Sequence, residues 1–135
     1  MLKSDIDASR PYPLFREQEI WWCSLGVNIG VEEDGKNEMF ERPVIIARKF
    51  NKEMFWGVPA TLQEKNSVFY FPFTLWGQSQ TALLSQIRTL SSKRLIRRMG
   101  KLDMRQFINL QLAVIGLLNK PINKAAPFRE PRVPN

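Results

Sequence analysis

Taken as a pattern of apolar and polar positions, the chain breaks into short runs. Glu19 to Leu25, with Ile20, Trp21, Trp22 and Cys23 inside it, is aromatic and β-prone; it predicts a strand ended by Gly26. Both of its faces carry large apolar groups, so it must be buried on both sides or lie at an interface. Pro43 to Ala47 is a near-continuous apolar run, the pattern of a central strand, with the proline expected at its start because it cannot donate to a ladder. Met54 to Pro59 and Val68 to Phe73 predict two more strands, and Pro72 places the second at an edge or a bulge. Lys49 to Glu53, Glu64 to Ser67 and Trp76 to Ser79 read as turns. Thr81 to Arg88 fits a helix or a strand by period alone. Five short strands in series suggest a small barrel.

The pattern changes after Leu90. Ser91 or Ser92 can cap a short helix over Lys93 to Ile96 that ends near Gly100. Asp103 is a good N-cap for a longer helix. There Met104, Phe107, Ile108, Leu112 and Ile115 recur at helical spacing, and Leu110, Val114, Leu117 and Leu118 widen the stripe. A helix apolar on more than one side needs two surfaces to pack against, a second subunit being one candidate. Pro121 stops it. Residues 1–15 are polar, with Pro11-Tyr12-Pro13 and no period, and read as a flexible arm; residues 121–135 read as a proline-rich basic tail. The domain between them is 16–120. Asn28 to Glu41 is a long acidic loop, in which Gly30 and Gly35 permit positive φ. Its length favours a functional loop over a disordered one, because it runs straight into Arg42.

Composition narrows the function classes. The length of 135 residues fits one domain, and the apolar and charged fractions, 44% and 24%, are those of an ordinary globular protein. The single cysteine excludes an intrachain disulfide and reads as a small buried thiol. The absence of histidine excludes His-based acid/base chemistry and His-ligated metal sites. No apolar run approaches the roughly 20 residues that span a bilayer, and the first residues lack the apolar core of a signal peptide, so a cytoplasmic protein without a membrane segment is expected. The net charge of +7 is unevenly spread. Through Glu41 four cations face nine anions, a net of −5; from Arg42 onward sixteen cations face four anions, a net of +12. That asymmetry suggests a polyanion-binding face with an acidic segment beside it, a solvated basic surface being the alternative.

The candidate chemistry gathers at two strand ends. Arg42 precedes the Pro43 strand and Thr61 follows Pro59, at the mouths of what look like neighbouring strands. A guanidinium binds phosphate as a planar fork, and a hydroxyl donates a hydrogen bond. Lys36, Lys49, Lys52 and Arg88 are candidate phosphate contacts.

Several pieces in a fixed order resemble one family. They are Glu19-Ile20-Trp21-Trp22 with Leu25, Gly30-Val31-Glu32-Glu33-Asp34-Gly35, Arg42-Pro43-Val44-Ile45-Ile46, Val58-Pro59-Ala60-Thr61, Leu84-Ser85-Gln86-Ile87-Arg88-Thr89-Leu90, Lys93-Arg94-Leu95 and Gly100-Lys101-Leu102. Over about Arg16 to Leu118 the chain resembles the MazF/PemK-like toxins, the ribonuclease halves of bacterial type II toxin–antitoxin pairs. The resemblance implies an α+β fold, an SH3-like β-barrel of about five to seven strands with a C-terminal helix, working as a homodimer. In it the Gln86-Ile87-Arg88 segment is a strand, and Arg97 to Leu102 is a short strand before the last helix.

The resemblance also implies a function: sequence-specific cleavage of single-stranded RNA without a metal or cofactor, leaving a 2′,3′-cyclic phosphate and a 5′-hydroxyl. The family's catalytic arginine falls on Arg42, its threonine on Thr61 and its loop glutamate on Glu32, with Val31 and Leu62 standing where serines are common. Ser85 and Gln86 align with a segment that lines the RNA groove. The implied partners are an antitoxin with an acidic tail and, through the toxin–antitoxin complex, operator DNA. The competing reading is a degenerate member of the same fold that binds nucleic acid or inhibits DNA gyrase.

Overall fold

A computed structural model describes residues 11–27 and 39–119. Seven strands and one helix follow in order among them: β1 (Glu19–Val27), β2 (Met39–Lys49), β3 (Met54–Thr61), β4 (Tyr70–Leu75), β5 (Gln78–Leu83), β6 (Arg88–Ser91), β7 (Leu95–Lys101) and α1 (Met104–Asn119). Single 3-10 turns sit at Leu84–Gln86 and Ser92–Arg94. All pairings are antiparallel, in the order β4-β5-β3-β2-β1-β7, with β6 also on β3. β3 therefore carries β6 along its first half and β5 at its end.

The strands β7, β1, β2, β3 and β6 form a barrel-like sheet that is not closed. Its seam has no β6–β7 ladder; the chain itself bridges it through the turn Ser92–Arg94. Ser92 fixes that turn, its N–H donating to Glu53 O at 2.8 Å and its hydroxyl to Lys52 O at 2.6 Å. Inside the barrel lie Phe15, Trp21, Cys23, Val44, Ile46, Phe55, Leu90 and Leu95. On the other face a second core joins Ile20, Ile45, Val58, Ala60, Phe73, Leu75, Ala82 and Leu84 to Phe107 and Leu110 of α1. β1 to β3 are thus buried on both sides, which explains their unalternating sequences. Gly57 is required by this packing, since a Cβ there would lie 2.5 Å from Val44 Cγ1 and 2.9 Å from the Phe55 ring.

Several expectations are corrected. Pro43 is not at the start of its strand: β2 begins at Met39, and Pro43 pairs with Trp22. The ladder to β3 begins only at Val44–Pro59, so the proline stands where that second ladder has not yet started. The ambiguous Thr81 to Arg88 run is neither one helix nor one strand; the 3-10 turn breaks it between β5 and β6. Of the Gln86-Ile87-Arg88 segment, Gln86 belongs to that turn and Arg88 starts β6. The expected short helix over Lys93 to Ile96 is one 3-10 turn, capped by Ser91 Oγ accepting from Lys93 N, and β7 follows directly. The fourth strand starts at Tyr70 rather than Val68.

β4 is the edge strand that its proline suggested. Pro72 brings no N–H, and at Thr74 the α1 side chain Gln106 accepts from the backbone N–H at 2.8 Å and donates to the carbonyl at 3.1 Å. Asp103 caps α1 by accepting from Gln106 N at 2.8 Å. Gln106 thus stands in for a neighbouring strand. Gln106→Ala is expected to cost about 1 kcal/mol and to speed amide exchange at Thr74, measured by NMR. No helix among the described residues is long and apolar enough to cross a membrane.

Candidate active site

β2 and β3 position the two candidate residues through their register. Val44 lies opposite Pro59, and Arg42 and Thr61 each stand two residues beyond that pair, toward the same end. β1 places Cys23 opposite Arg42, and β5 places Thr81 opposite Thr61. Extended past the last β2–β3 pair, this register lines up Thr81, Thr61, Arg42 and Cys23 in one row across four strands. Side chains two residues apart share a face, so this row follows Val44 on the side of the barrel interior and lies at its mouth. Thr81 and Cys23 are buried while Arg42 and Thr61 are half-buried, so the row ends in two reachable polar groups.

Thr61 Oγ1 accepts a hydrogen bond from Gln63 N at 3.2 Å. A hydroxyl that accepts such a bond still has a proton to donate. Arg88 starts β6 opposite Gly57, and Arg94 Nη1 donates to Ser24 O at 3.2 Å. Both guanidinium groups act on Cys23. Burial pushes its thiol up to about 12, against a smaller opposing pull from Arg94 and Arg88. The unfolded thiol ionises near ~8.5. Above that pH the unfolded chain holds fewer protons than the folded one, so the contribution is fully present below ~8.5 and lost as pH rises toward the folded value. Cys23→Ala is expected to flatten the alkaline arm of the stability–pH curve. The native thiol is expected to react with a charged thiol reagent only after denaturation, as followed by absorbance.

The other candidate residues scatter. Ser85 and Gln86 are exposed on the 3-10 turn before Arg88. Lys49 lies at the far end of β2, where its ammonium donates to Phe15 O at 2.9 Å and sits 4.4 Å from the Phe15 ring centroid. Lys52 is on the turn between β2 and β3, also away from the mouth. Glu32 and Lys36 lie outside the described residues. Trp21 is core, and Trp22 is half-buried, its indole N–H donating to Glu41 Oε1 at 2.7 Å beneath the Arg97 guanidinium. Sequence reasoning did not find Thr81 or Arg94 as members of the mouth. Thr81 lay in a run of undecided period, and Arg94 lay among surface cations that carried no signal of its bond to β1.

The sequence matches the family model described as PemK-like, MazF-like toxin of type II toxin–antitoxin system over residues 16–118. No curated protein matches it. Among solved structures, a mycobacterial endoribonuclease in complex with its cognate antitoxin is similar at 15% identity and a TM-score of 0.59, over 78% of this chain and 95% of that one. MazF from Deinococcus radiodurans is similar at 14% identity and a TM-score of 0.57, over 77% and 96%. The Mycobacterium tuberculosis toxin MazF-mt6 is similar at 18% identity and a TM-score of 0.56, over 74% and 95%. These likenesses establish the fold, and the family match covers most of the chain: it belongs to the PemK-like, MazF-like toxins of type II toxin–antitoxin systems.

Proposed function

We propose that this toxin is a metal-independent endoribonuclease that cuts single-stranded RNA at the barrel mouth. The observation that supports the reading is the register that sets Arg42 and Thr61 each two residues beyond the Val44–Pro59 pair, at the same end of adjacent strands. Cleavage requires the 2′-hydroxyl to lose its proton and its oxygen to bond to phosphorus. The bond from phosphorus to the 5′-oxygen then breaks, and that oxygen takes a proton. The products are a 2′,3′-cyclic phosphate and a 5′-hydroxyl. Arg42 neutralises the charge that builds on the phosphorane oxygens, where a fixed donor acts most strongly. Its pKa above about 12 makes it a poor proton carrier, so its role is electrostatic. Thr61 donates to a non-bridging oxygen, and Glu32 is the candidate base for the 2′ proton. Lys36, Ser85, Gln86 and Arg88 hold the flanking strand.

An antitoxin with an acidic tail would compete for the same cationic mouth, as solved relatives in complex with their antitoxins suggest. The outer stripe of α1 exposes Ile108, Leu112, Ile115 and Leu118, and the first three line with Trp56 and Ile87 a groove of about 370 Å³. It supports a homodimer, because an apolar stripe of that length is covered in a stable state. Purified protein is tested on a long natural RNA in excess EDTA, with the product ends mapped. Discrete cuts ending in 2′,3′-cyclic phosphates are expected. Intact RNA beside a folded dimer would overturn the reading.

A further inference from the structure

The end of the barrel opposite the mouth holds a second cationic group. Tyr12 lies half-buried beside a recess of about 310 Å³, lined also by Asn51, Glu53, Met54, Thr89, Leu90 and Ser91. Two ammonium groups converge on its ring, Lys93 Nζ at 4.7 Å and Lys52 Nζ at 5.6 Å from the centroid. They are thus within about 10 Å of one another. The ring's negative face offsets their repulsion in part, and a bound phosphate would offset it further. The ring is held in place from both sides: Pro11 and Pro13 restrict the backbone around it, and Phe15, three residues on, is anchored inside the barrel.

We propose that Tyr12, Lys52 and Lys93 form a phosphate subsite for single-stranded RNA that has passed the Arg42–Thr61 mouth. This rests on the reading of the mouth as an RNA site. β6 runs between the two sites, from the exposed Arg88 on the mouth side to Thr89 and Ser91, which line the recess. The lining decides between a nucleic acid and an acidic peptide. Glu53 repels a run of carboxylates, but beside a nucleotide it can accept from a base amino group, as Asn51, Thr89 and Ser91 can also pair with base edges. Tyr12 precedes the residues matched by the family model, while Lys52 and Lys93 lie within them.

The test compares the wild type with Lys52→Ala/Lys93→Ala and, separately, with Tyr12→Ala, each checked for an unchanged circular dichroism spectrum. The probe is a fluorescent mixed-sequence RNA carrying the mapped cut motif plus about ten nucleotides on each side, of the order of a single-strand site size. Binding is measured by anisotropy against salt. The double variant is expected to lose about tenfold in affinity and to reduce the log–log salt slope by about 1.4, two phosphate contacts at about 0.7 each. In cleavage, the advantage of the extended RNA over the bare motif is expected to collapse. An unchanged affinity and slope in both variants would overturn the subsite, as would a loss of polyglutamate binding with RNA binding intact. If the wild type binds RNA but cuts none, the proposed cleavage falls, and the anisotropy result alone still decides the subsite.

Discussion

Arg42→Ala is expected to lower kcat for RNA cleavage by about 10²–10³-fold while the barrel still folds. The position argues for both halves. Arg42 is half-buried one step beyond the packed Val44, so truncation opens the mouth without leaving a cavity inside. In the ground state the phosphodiester carries one negative charge, and in the phosphorane it carries nearly two. A guanidinium fixed at the strand end therefore gains most in the transition state, which is the condition for raising kcat rather than only tightening binding. Arg42→Lys keeps the charge but loses the planar fork, and should fall between the wild type and the alanine variant. Single-turnover cleavage of a mapped RNA measures all three. A folded Arg42→Ala protein of full activity would remove Arg42 from the chemistry.

Phe15→Ala should cost about 3–5 kcal/mol of stability, a large share of the roughly 5–15 kcal/mol that holds a typical domain together. Phe15 is 1% exposed. Its ring packs at 5.3 Å and 57° on Phe55 inside the barrel, and Lys49 holds both its ring and its carbonyl. Removing it leaves a hole among Val44, Ile46, Leu90 and Leu95 and takes away the ring beneath the Lys49 ammonium, whose hydrogen bond to the backbone carbonyl remains. A chain shortened to begin at residue 16, where the family match starts, should suffer the same loss. Urea unfolding should show a lower midpoint at an unchanged slope. An unchanged midpoint would mean that Phe15 lies outside the cooperative core.

The central strands were legible because their apolar runs are dense, and α1 because Asp103 and its stripe agree. Pro72 gave the edge strand for a simple reason, the missing donor. The level placement of Arg42 and Thr61 was legible only as two strand ends; their register depends on pairing that no local pattern encodes. Phe15 was hidden because one aromatic between Pro13-Leu14 and Arg16 has no period to join. β7 was hidden because its run from Leu95 to Lys101 carries three exposed cations, Arg97, Arg98 and Lys101, and it came only from the family resemblance. Lys49 reads as a surface cation, yet its long stem lets the ammonium fold back onto an aromatic ring.

The pairing of β1 with β7 joins Glu19 to Lys101. Beyond it Gln18 and Leu102 clasp one another, the amide side chain of Gln18 donating to Leu102 O at 2.7 Å and Leu102 N donating to Gln18 O at 3.0 Å across 84 residues of chain. The sheet is thus completed by a pairing between its first and last strands. On the ribosome, the far edge of β1 stays unpaired until β7 and Leu102 have emerged, and long-range pairing of this kind is slow. A chain truncated before Leu102 lacks both this clasp and the α1 side of the second core, and should be markedly less stable than the full chain.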